Sequence, residues 1–221
     1  MILQLKITLA DSKPLIWRRL SIPAEYSLHA LHHAIQESFN WYNTHLNQFH
    51  SSDDEELFSL PEDFRELEFE VFDPLFPAKL KQPVTISQHG TPMIDPRGVS
   101  ISQVLKNPGD SMNYIYDFAA YWQHSIKVEK ILPSGPAIPL LLDGKNNSPP
   151  ENSGGIEVYQ ELLKIRAKLA KNHREKDLLE KLFDGDWQNF DPKEFLIETQ
   201  NRRLTEKFHN ALNRAANMGT P

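Results

Sequence analysis

The chain has 221 residues, of which 39% are hydrophobic and 24% charged, and its net charge is −6. This composition supplies a folded core and excludes an intrinsically disordered chain. There is no cysteine, which excludes disulfides, thiolate catalysis and cysteine–zinc sites. No apolar run approaches the ~20 residues of a membrane helix, and the first residues lack the pattern of a signal peptide. We therefore expect a cytoplasmic protein with no membrane partner.

The charge is unevenly distributed along the chain. Residues 1–135 hold 17 acidic and 11 basic residues, whereas residues 136–221 hold 13 of each. Ten of the acids fall between Asp53 and Asp73. Because an acidic domain repels phosphate backbones at long range, a nucleic-acid partner is not expected, and binding to duplex DNA should be weak and non-specific.

In the N-terminal third of the chain, the pattern of apolar and polar residues predicts a hairpin and a helix. Ile2–Ala10 and Ile16–Ile22 predict two strands around a short turn. Ser27 is an N-cap candidate, the apolar residues that follow it have helical spacing, and Asn40 should end the helix. An acidic excursion over residues 53–98 contains one alternating stretch, Leu67–Phe72, that predicts a strand.

The rest of the chain predicts a second hairpin and then helices. Five prolines in residues 73–98 indicate irregular structure, and residues 133–155 indicate a loop or linker in which Asp143–Gly144 forms a turn. The predicted strands are Gln48–Ser51, Tyr114–Phe118 and His124–Leu132. The predicted helices are Val99–Leu105, one from Ile156, one around Leu178–Phe183, and a last one from Asp191–Pro192 to about Ala216.

This order of elements predicts an α+β fold. We expect an α-β roll or β-grasp-like mixed sheet with one packed helix, followed by a C-terminal helical extension. Residues 1–135 would form the sheet domain, and residues 136–221 would be a loop and helical extension packed on it, so that both parts make one structural unit.

Several stretches together resemble the plasmid pRiA4b ORF-3-like family, also seen as an insertion-element passenger type. They are KPLIWRRLSIPA at Lys13–Ala24, the helix and following loop at Leu28–Phe49, YIYDFAAYWQHSIKVEKIL at Tyr114–Leu132, LLLDGKNNSPPENSGG at Leu140–Gly155, and FDPKEF at Phe190–Phe195. The resemblance implies the fold and an association with mobile elements, but no reaction.

Two departures from the family pattern limit what the resemblance implies. The family usually has Gly-Asp after its Asp-Phe pair, where this chain has Ala119–Ala120. Its third motif commonly carries cysteines, near whose places Leu141 or Leu142 and Ser148 stand here. A metal or catalytic role that needs those residues cannot operate in this chain.

Aromatic and polar residues in the motif stretches are the candidate site. Asp117 with His45 and His124 has the residue types of a general acid–base pocket, and Trp41, Trp122 and Tyr116 would form its walls. The alternative is that Asp117 accepts hydrogen bonds from backbone amides in the hairpin turn while the histidines and tryptophans are core residues. We favour the structural alternative, although Asp117 and His124 should approach each other across the hairpin.

Two other groups have a functional and a structural interpretation. In the functional interpretation, Arg18 and Arg19 form an anion clamp. In the structural interpretation, which we favour, they pair with the acidic excursion beside a core tryptophan, Trp17. His29, His33 and Glu37 share one face of the predicted helix and have metal-ligand spacing, but the same spacing is that of an ordinary polar helix face. We expect no metal site.

The sequence lacks the GxxxxGK[ST], GxGxxG and GxSxG motifs, so no cofactor is expected. We therefore expect a non-enzymatic binding or interaction domain whose partner is a protein or a small molecule. A hydrolase-like enzyme that uses the Asp117, His45 and His124 pocket is the first alternative. A nucleic-acid accessory factor is the second.

Overall fold

A computed structural model of the chain describes residues 1–53, 55–60, 84–86, 92–169 and 190–218. The strands of these residues form one sheet, in the order β5-β6-β4-β3-β7-β8-β1-β2-β9. They are β1 (Ile2–Leu9), β2 (Trp17–Pro23), β3 (Asn47–Ser51), β4 (Leu57–Phe58), β5 (Val84–Ile86), β6 (Pro92–Ile94), β7 (Ser111–Tyr116), β8 (Trp122–Leu132) and β9 (Leu140–Lys145). Neighbours are antiparallel except β4 and β6, which are parallel, so the predicted mixed α+β sheet is confirmed.

Helices cover one face of this sheet. They are α1 (Leu28–Phe39), α2 (Ile101–Val104), α3 (Ile156–Leu169) and α4 (Ile197–Met218), and a 3₁₀ turn spans Pro96–Gly98. The alternation of β1 explains the layer arrangement, because Leu3, Leu5 and Ile7 are fully buried on the helical side while Lys6 lies on the outer side. Burying each of these side chains contributes about 1.5–3 kcal/mol.

The two predicted hairpins lie in the same sheet, as expected. Strand β8 pairs with β7 on one side and with β1 on the other, so it joins the hairpins edge to edge. Because β8 is central, its inward residues are the most deeply buried part of the second hairpin, and they include His124 and Ile126.

Helix α1 has the predicted ends. The Oγ of Ser27 accepts a hydrogen bond from the Ala30 amide at 3.1 Å, and Asn40 ends the helix in the left-handed conformation with φ of 58°. All twelve residues are buried, because α1 lies between the sheet and a second layer made by the 3₁₀ turn and α4. The prediction that His29, His33 and Glu37 lie on an ordinary polar face of this helix is therefore wrong.

Two segments predicted to be irregular contain strands. Residues 140–145 form β9, an edge strand in which Asp143–Gly144 extends beside Arg19 and Arg18 and makes no turn. Because Leu140, Leu141 and Leu142 are consecutive, the sequence there does not alternate between apolar and polar residues. Residues 84–86 and 92–94 form the short pair β5 and β6 within the proline-rich stretch.

The C-terminal helix begins five residues later than predicted. Asp191 makes a turn, with its Oδ1 accepting from the Lys193 amide at 2.9 Å, and α4 starts at Ile197. Helix α4 packs on α1 and on β9, where Asn201 hydrogen-bonds both the amide and the carbonyl of Leu141 and so covers the sheet edge.

Some predictions lie outside the described residues. These are the strand at Leu67–Phe72 and the helix around Leu178–Phe183. The division at residue 135 stays a prediction.

Candidate functional site

One end of the sheet gathers four connecting segments. The β1–β2 turn meets the start of β8, where the Ala10 amide donates to the Gln123 carbonyl at 2.9 Å. Asn47 pairs with Tyr116, and Trp17 pairs with Lys145. The segments that adjoin these residues therefore lie at the same end of the sheet. We call this the loop end, and it comprises residues 10–16, 40–46, 117–121 and 146–155.

Asp117 starts the β7–β8 connection in the left-handed conformation, with φ of 58°. Its Oδ1 accepts hydrogen bonds from the amides of Ala119, at 3.0 Å, and Ala120, at 3.2 Å. Its own amide donates to the Leu46 carbonyl at 2.8 Å, which ties this connection to the α1–β3 segment. One carboxylate oxygen thus satisfies backbone donors that have no strand partner.

The other oxygen of Asp117 faces His45. The Nε2 of His45 lies 3.7 Å from Oδ2 of Asp117 and 2.7 Å from Oδ1 of Asn152. The His45 side chain is 31% exposed and that of Asp117 only 9%, so solvent reaches this pair from the histidine side. Of the three predicted acid–base residues, the structure brings these two together.

His124 does not join that pair. It is fully buried among Phe39, Trp41 and Tyr114, and its Nδ1 bonds the Trp122 carbonyl at 3.1 Å. Burial lowers the pKa of His124 to about 3, so its ring is neutral at neutral pH. The expected approach of Asp117 and His124 across the hairpin is wrong, because His124 points inward while Asp117 lies in the turn.

The two candidate tryptophans are part of the buried floor of the loop end. Trp41 and Trp122 are 1% exposed, and the ring centroid of Trp41 lies 5.1 Å from that of Tyr116. The Nε1 of Trp41 donates to the Pro149 carbonyl at 2.9 Å, which fixes segment 146–155. These rings support the surface above them and are not accessible to a partner.

Glu151 is a central residue that the sequence analysis did not identify. Its carboxylate accepts from the Tyr116 hydroxyl at 2.5 Å, the Thr44 hydroxyl at 3.1 Å and the Tyr42 amide at 2.9 Å. Burial, and then the bond to Glu151, raises the pKa of Tyr116. A glutamate in a stretch rich in Pro, Asn, Ser and Gly has no pattern that would have marked it.

Gly155 brings segment 146–155 into contact with the β7–β8 connection, residues 117–121. Its φ is 92°, and a Cβ built there would lie 2.5 Å from the Ala120 carbonyl oxygen. Only glycine combines this conformation with so close an approach. Together with Glu151 and Asn152, it locks three loops into one surface.

Arg18 and Arg19 have opposite environments. Arg18 is 1% exposed and donates to the carbonyls of Ser38, Trp17 and Lys145 and to the Ser148 hydroxyl. Burial lowers its pKa to about 9, so it still carries its charge at neutral pH. It lies over the rings of Phe39 and Phe195, so it is a core residue and not an anion clamp.

Arg19 lies on the outer face of the sheet. It pairs with Glu129 at 2.6 Å and Asp143 at 2.9 Å, and not with the described part of the acidic excursion. The prediction of a core tryptophan beside it is also wrong, because Trp17 alternates outward with Arg19 while Arg18 points inward.

The helix histidines do not form a metal site in the described part of the chain. His29 and His33 have their Nε2 atoms 3.2 Å apart, but Glu37 pairs instead with Arg203 and Lys207 of α4. Burial lowers the pKa of His29 to about 4 and holds that of His33 well below its ordinary value.

Exposed apolar side chains are concentrated at the loop end. Tyr42, Phe118 and Tyr121 are between 43% and 56% exposed, and Leu15 and Val158 project nearby. Tyr121 has φ of 55°, which is uncommon for a bulky residue and costs about 1–2 kcal/mol. Such unfavourable backbone conformations are associated with functional sites, and here the conformation presents an aromatic ring to solvent.

The fold and this site define an α+β protein with a mixed sheet and a loop-based candidate interaction surface. The chain belongs to the plasmid pRiA4b ORF-3-like family, whose model matches residues 1–199. This confirms the resemblance drawn from the motif stretches.

Two relatives share most of the chain. It is 30% identical over 190 residues to the uncharacterized protein y4hQ of Sinorhizobium fredii, an alignment that covers 85% of this chain and 84% of that protein. It is 27% identical to MM3350, a protein of unknown function from Methanosarcina mazei, whose crystal structure matches with a TM-score of 0.66 over 90% of this chain and 95% of the other. In the described residues, no helix is long and apolar enough to span a membrane.

Proposed function

We propose that this chain is a non-enzymatic interaction module that binds another protein through the loop end. The observation that carries the proposal is the distribution of exposed apolar side chains. Five of the nine large exposed ones among the described residues lie at this end, and they are Leu15, Tyr42, Phe118, Tyr121 and, in the first turn of α3, Val158. Such a concentration marks an interaction surface more often than scattered single residues do.

The exposure of these side chains favours a protein partner over a small molecule. Tyr42, Phe118 and Tyr121 project from the surface, whereas a small ligand is usually enclosed by a concave, largely buried pocket. Tyrosine and phenylalanine are enriched at protein interfaces, and tyrosine is frequent among the residues that dominate binding energy.

The loops that carry these rings are held in one arrangement before any partner binds. Glu151 fixes the backbone of Tyr42, and Asp117 fixes the connection that holds Phe118 and Tyr121. Gly155 places segment 146–155 against that connection. An ordered surface loses less conformational entropy on binding, so this network supports affinity.

The hydrolase alternative is weakened by the same geometry. His124 is buried away from the Asp117 and His45 pair, so the proposed second imidazole is missing from it. One oxygen of Asp117 is already engaged by two amides. The remaining pair, Asp117 and His45, is better suited to holding two loops together than to acid–base catalysis.

Affinity capture with two matched variants tests the proposal. Phe118→Ser combined with Tyr121→Asn removes two exposed rings, and asparagine tolerates the left-handed backbone at position 121. Leu132→Ser is the control, since Leu132 is also exposed but lies at the opposite end of β8. We expect one or more proteins to be captured by the wild type and the control and lost with the double variant. Equal capture by all three proteins would contradict the proposal.

A further inference from the structure

A row of basic residues crosses the outer face of the sheet, away from the loop end. Lys6 in β1 lies directly opposite Lys127 in β8 and directly opposite Arg19 in β2. With strands about 4.8 Å apart, the row spans about 10 Å. Like charges directly opposite each other destabilise a sheet, so this arrangement costs stability wherever the charges are not paired.

Trp17 holds part of the row in place. The Nζ of Lys6 lies 5.1 Å from the centroid of the Trp17 ring, and the guanidinium carbon of Arg19 lies 5.0 Å from it. Arg19 is neutralised by Glu129 and Asp143. Neither Lys6 nor Lys127 has a carboxylate within salt-bridge distance in the described part of the chain, although Lys6 lies in the electrostatic field of Glu129.

A shallow depression of about 690 Å³ lies beside the row. Lys127, Lys130 and Arg19 contribute to its lining, together with Leu142, whose side chain is 42% exposed. Lys6, Arg19, Lys127 and Lys130 are four of the eleven basic residues in the acidic first 135 residues. Basic charge is thus collected on one patch, next to an apolar side chain and to Glu129 and Asp143, which also line the depression.

We infer that this patch binds an acidic protein segment that also carries an apolar residue. Carboxylates of the segment would pair with Lys6 and Lys127, and its apolar side chain would cover Leu142. Lys6 and Lys127 stand on neighbouring strands about 4.8 Å apart, so their flexible side chains can reach two carboxylates that recur about every 6.6 Å on one face of an extended segment.

The surroundings of the row disfavour a nucleic acid. Single-stranded nucleic acids bind by stacking bases on aromatic rings, but the Trp17 ring is already engaged by Lys6 and Arg19. Asp143 ends the row opposite Arg19, and Glu129 pairs with Arg19 beside it, so the unpaired positive charge of the row covers only Lys6 and Lys127, which is too short an extent for a phosphate backbone. The net charge of −6 opposes a long polyanion as well.

Fluorescence anisotropy with a labelled peptide of alternating glutamate and leucine tests the inference. The test variant is Lys6→Gln with Lys127→Gln, and the control is Lys168→Gln with Lys193→Gln, which removes the same charge from exposed positions on α3 and before α4. We expect the wild type and the control to bind the peptide, the test variant to bind at least about fivefold more weakly, and binding to weaken as salt is added.

Three results would overturn the inference. They are the absence of peptide binding by the wild type, equal binding by the test and control variants, and tighter binding of a single-stranded oligonucleotide with the same number of charges. The Phe118→Ser and Tyr121→Asn variant should bind the peptide as the wild type does, so failure here is distinguishable from failure of the proposed loop-end function.

Discussion

Arg18 shows how a single buried side chain connects several elements. Its guanidinium reaches carbonyls in β2, at the end of α1 and in β9, and the hydroxyl of Ser148. None of these partners is a carboxylate, so the charge is stabilised by peptide dipoles and by the rings of Phe39 and Phe195. Sequence alternation placed Arg18 on the opposite face from Arg19 but could not say which face was buried.

Replacing Arg18 by lysine should therefore be costly. A lysine ammonium cannot reach acceptors in three directions at once, so buried oxygens lose their partners, and we expect a loss of about 2–4 kcal/mol in the free energy of unfolding. Arg19→Lys is the control and should cost at most about 1 kcal/mol, because its ion pairs are at the surface. Urea denaturation measures both, and equal losses would contradict this account.

Asp117 is predicted to have a structural role. Asparagine keeps an acceptor oxygen and tolerates a φ of 58°, so Asp117→Asn should lose less than about 1 kcal/mol. Asp117→Ala leaves the Ala119 and Ala120 amides without their acceptor and should lose roughly 1–3 kcal/mol. Thermal unfolding distinguishes the two variants, and an alanine variant as stable as the asparagine variant would refute the structural role.

At the scale of elements, regular patterns were predictable and irregular ones were not. The alternation of Ile2–Ala10 and the caps Ser27 and Asn40 specify β1 and α1 locally. Strand β9 depends on non-local partners, namely β2 and the Asn201 side chain of α4, so its sequence alone resembles a loop. The same reasoning explains Glu151, whose three partners come from residues 42–44 and 116.

The docking of α4 can be tested by one substitution. Phe208 is fully buried, and its ring stacks on Tyr26 with 5.9 Å between centroids. Phe208→Ala should therefore cost about 3–5 kcal/mol, because it leaves a cavity between α4 and the sheet layer. Leu196→Ala, at an exposed position just before the helix, should change stability by less than about 0.5 kcal/mol. Similar stability of the two variants in denaturant would show that α4 contributes little. The sequence also predicts that Trp187 packs on the domain as part of the C-terminal extension, but Trp187 lies outside the described residues.

At the scale of the whole molecule, buried neutral histidines make stability depend on pH. Burial lowers the pKa of His29 to about 4 and that of His124 to about 3, and holds the pKa values of His32 and His33 well below the ordinary value. The unfolded chain therefore binds protons first as the pH falls, which favours unfolding.

The free energy of unfolding should accordingly be highest above about pH 6.5 and fall between about pH 6.5 and 4, by up to about 1.4 kcal/mol per pH unit for each such histidine. His124→Phe should reduce this slope, whereas His209→Gln, at an exposed position, should leave it unchanged. A wild-type stability that stays constant between pH 7 and 4.5 in urea titrations would contradict the burial of neutral rings.

We propose that this protein binds a partner protein through the loop end, and site-specific crosslinking tests this most directly. A photoreactive phenylalanine analogue placed at Tyr121 should crosslink to a defined protein in the cells from which the chain derives, since that side chain projects from the rigid β7–β8 connection. The same analogue at Leu132, which is exposed at the far end of β8, should not. A discrete crosslinked product at position 121 that is missing at position 132 is the predicted result. The same products at both positions, or none at position 121, would contradict the claim.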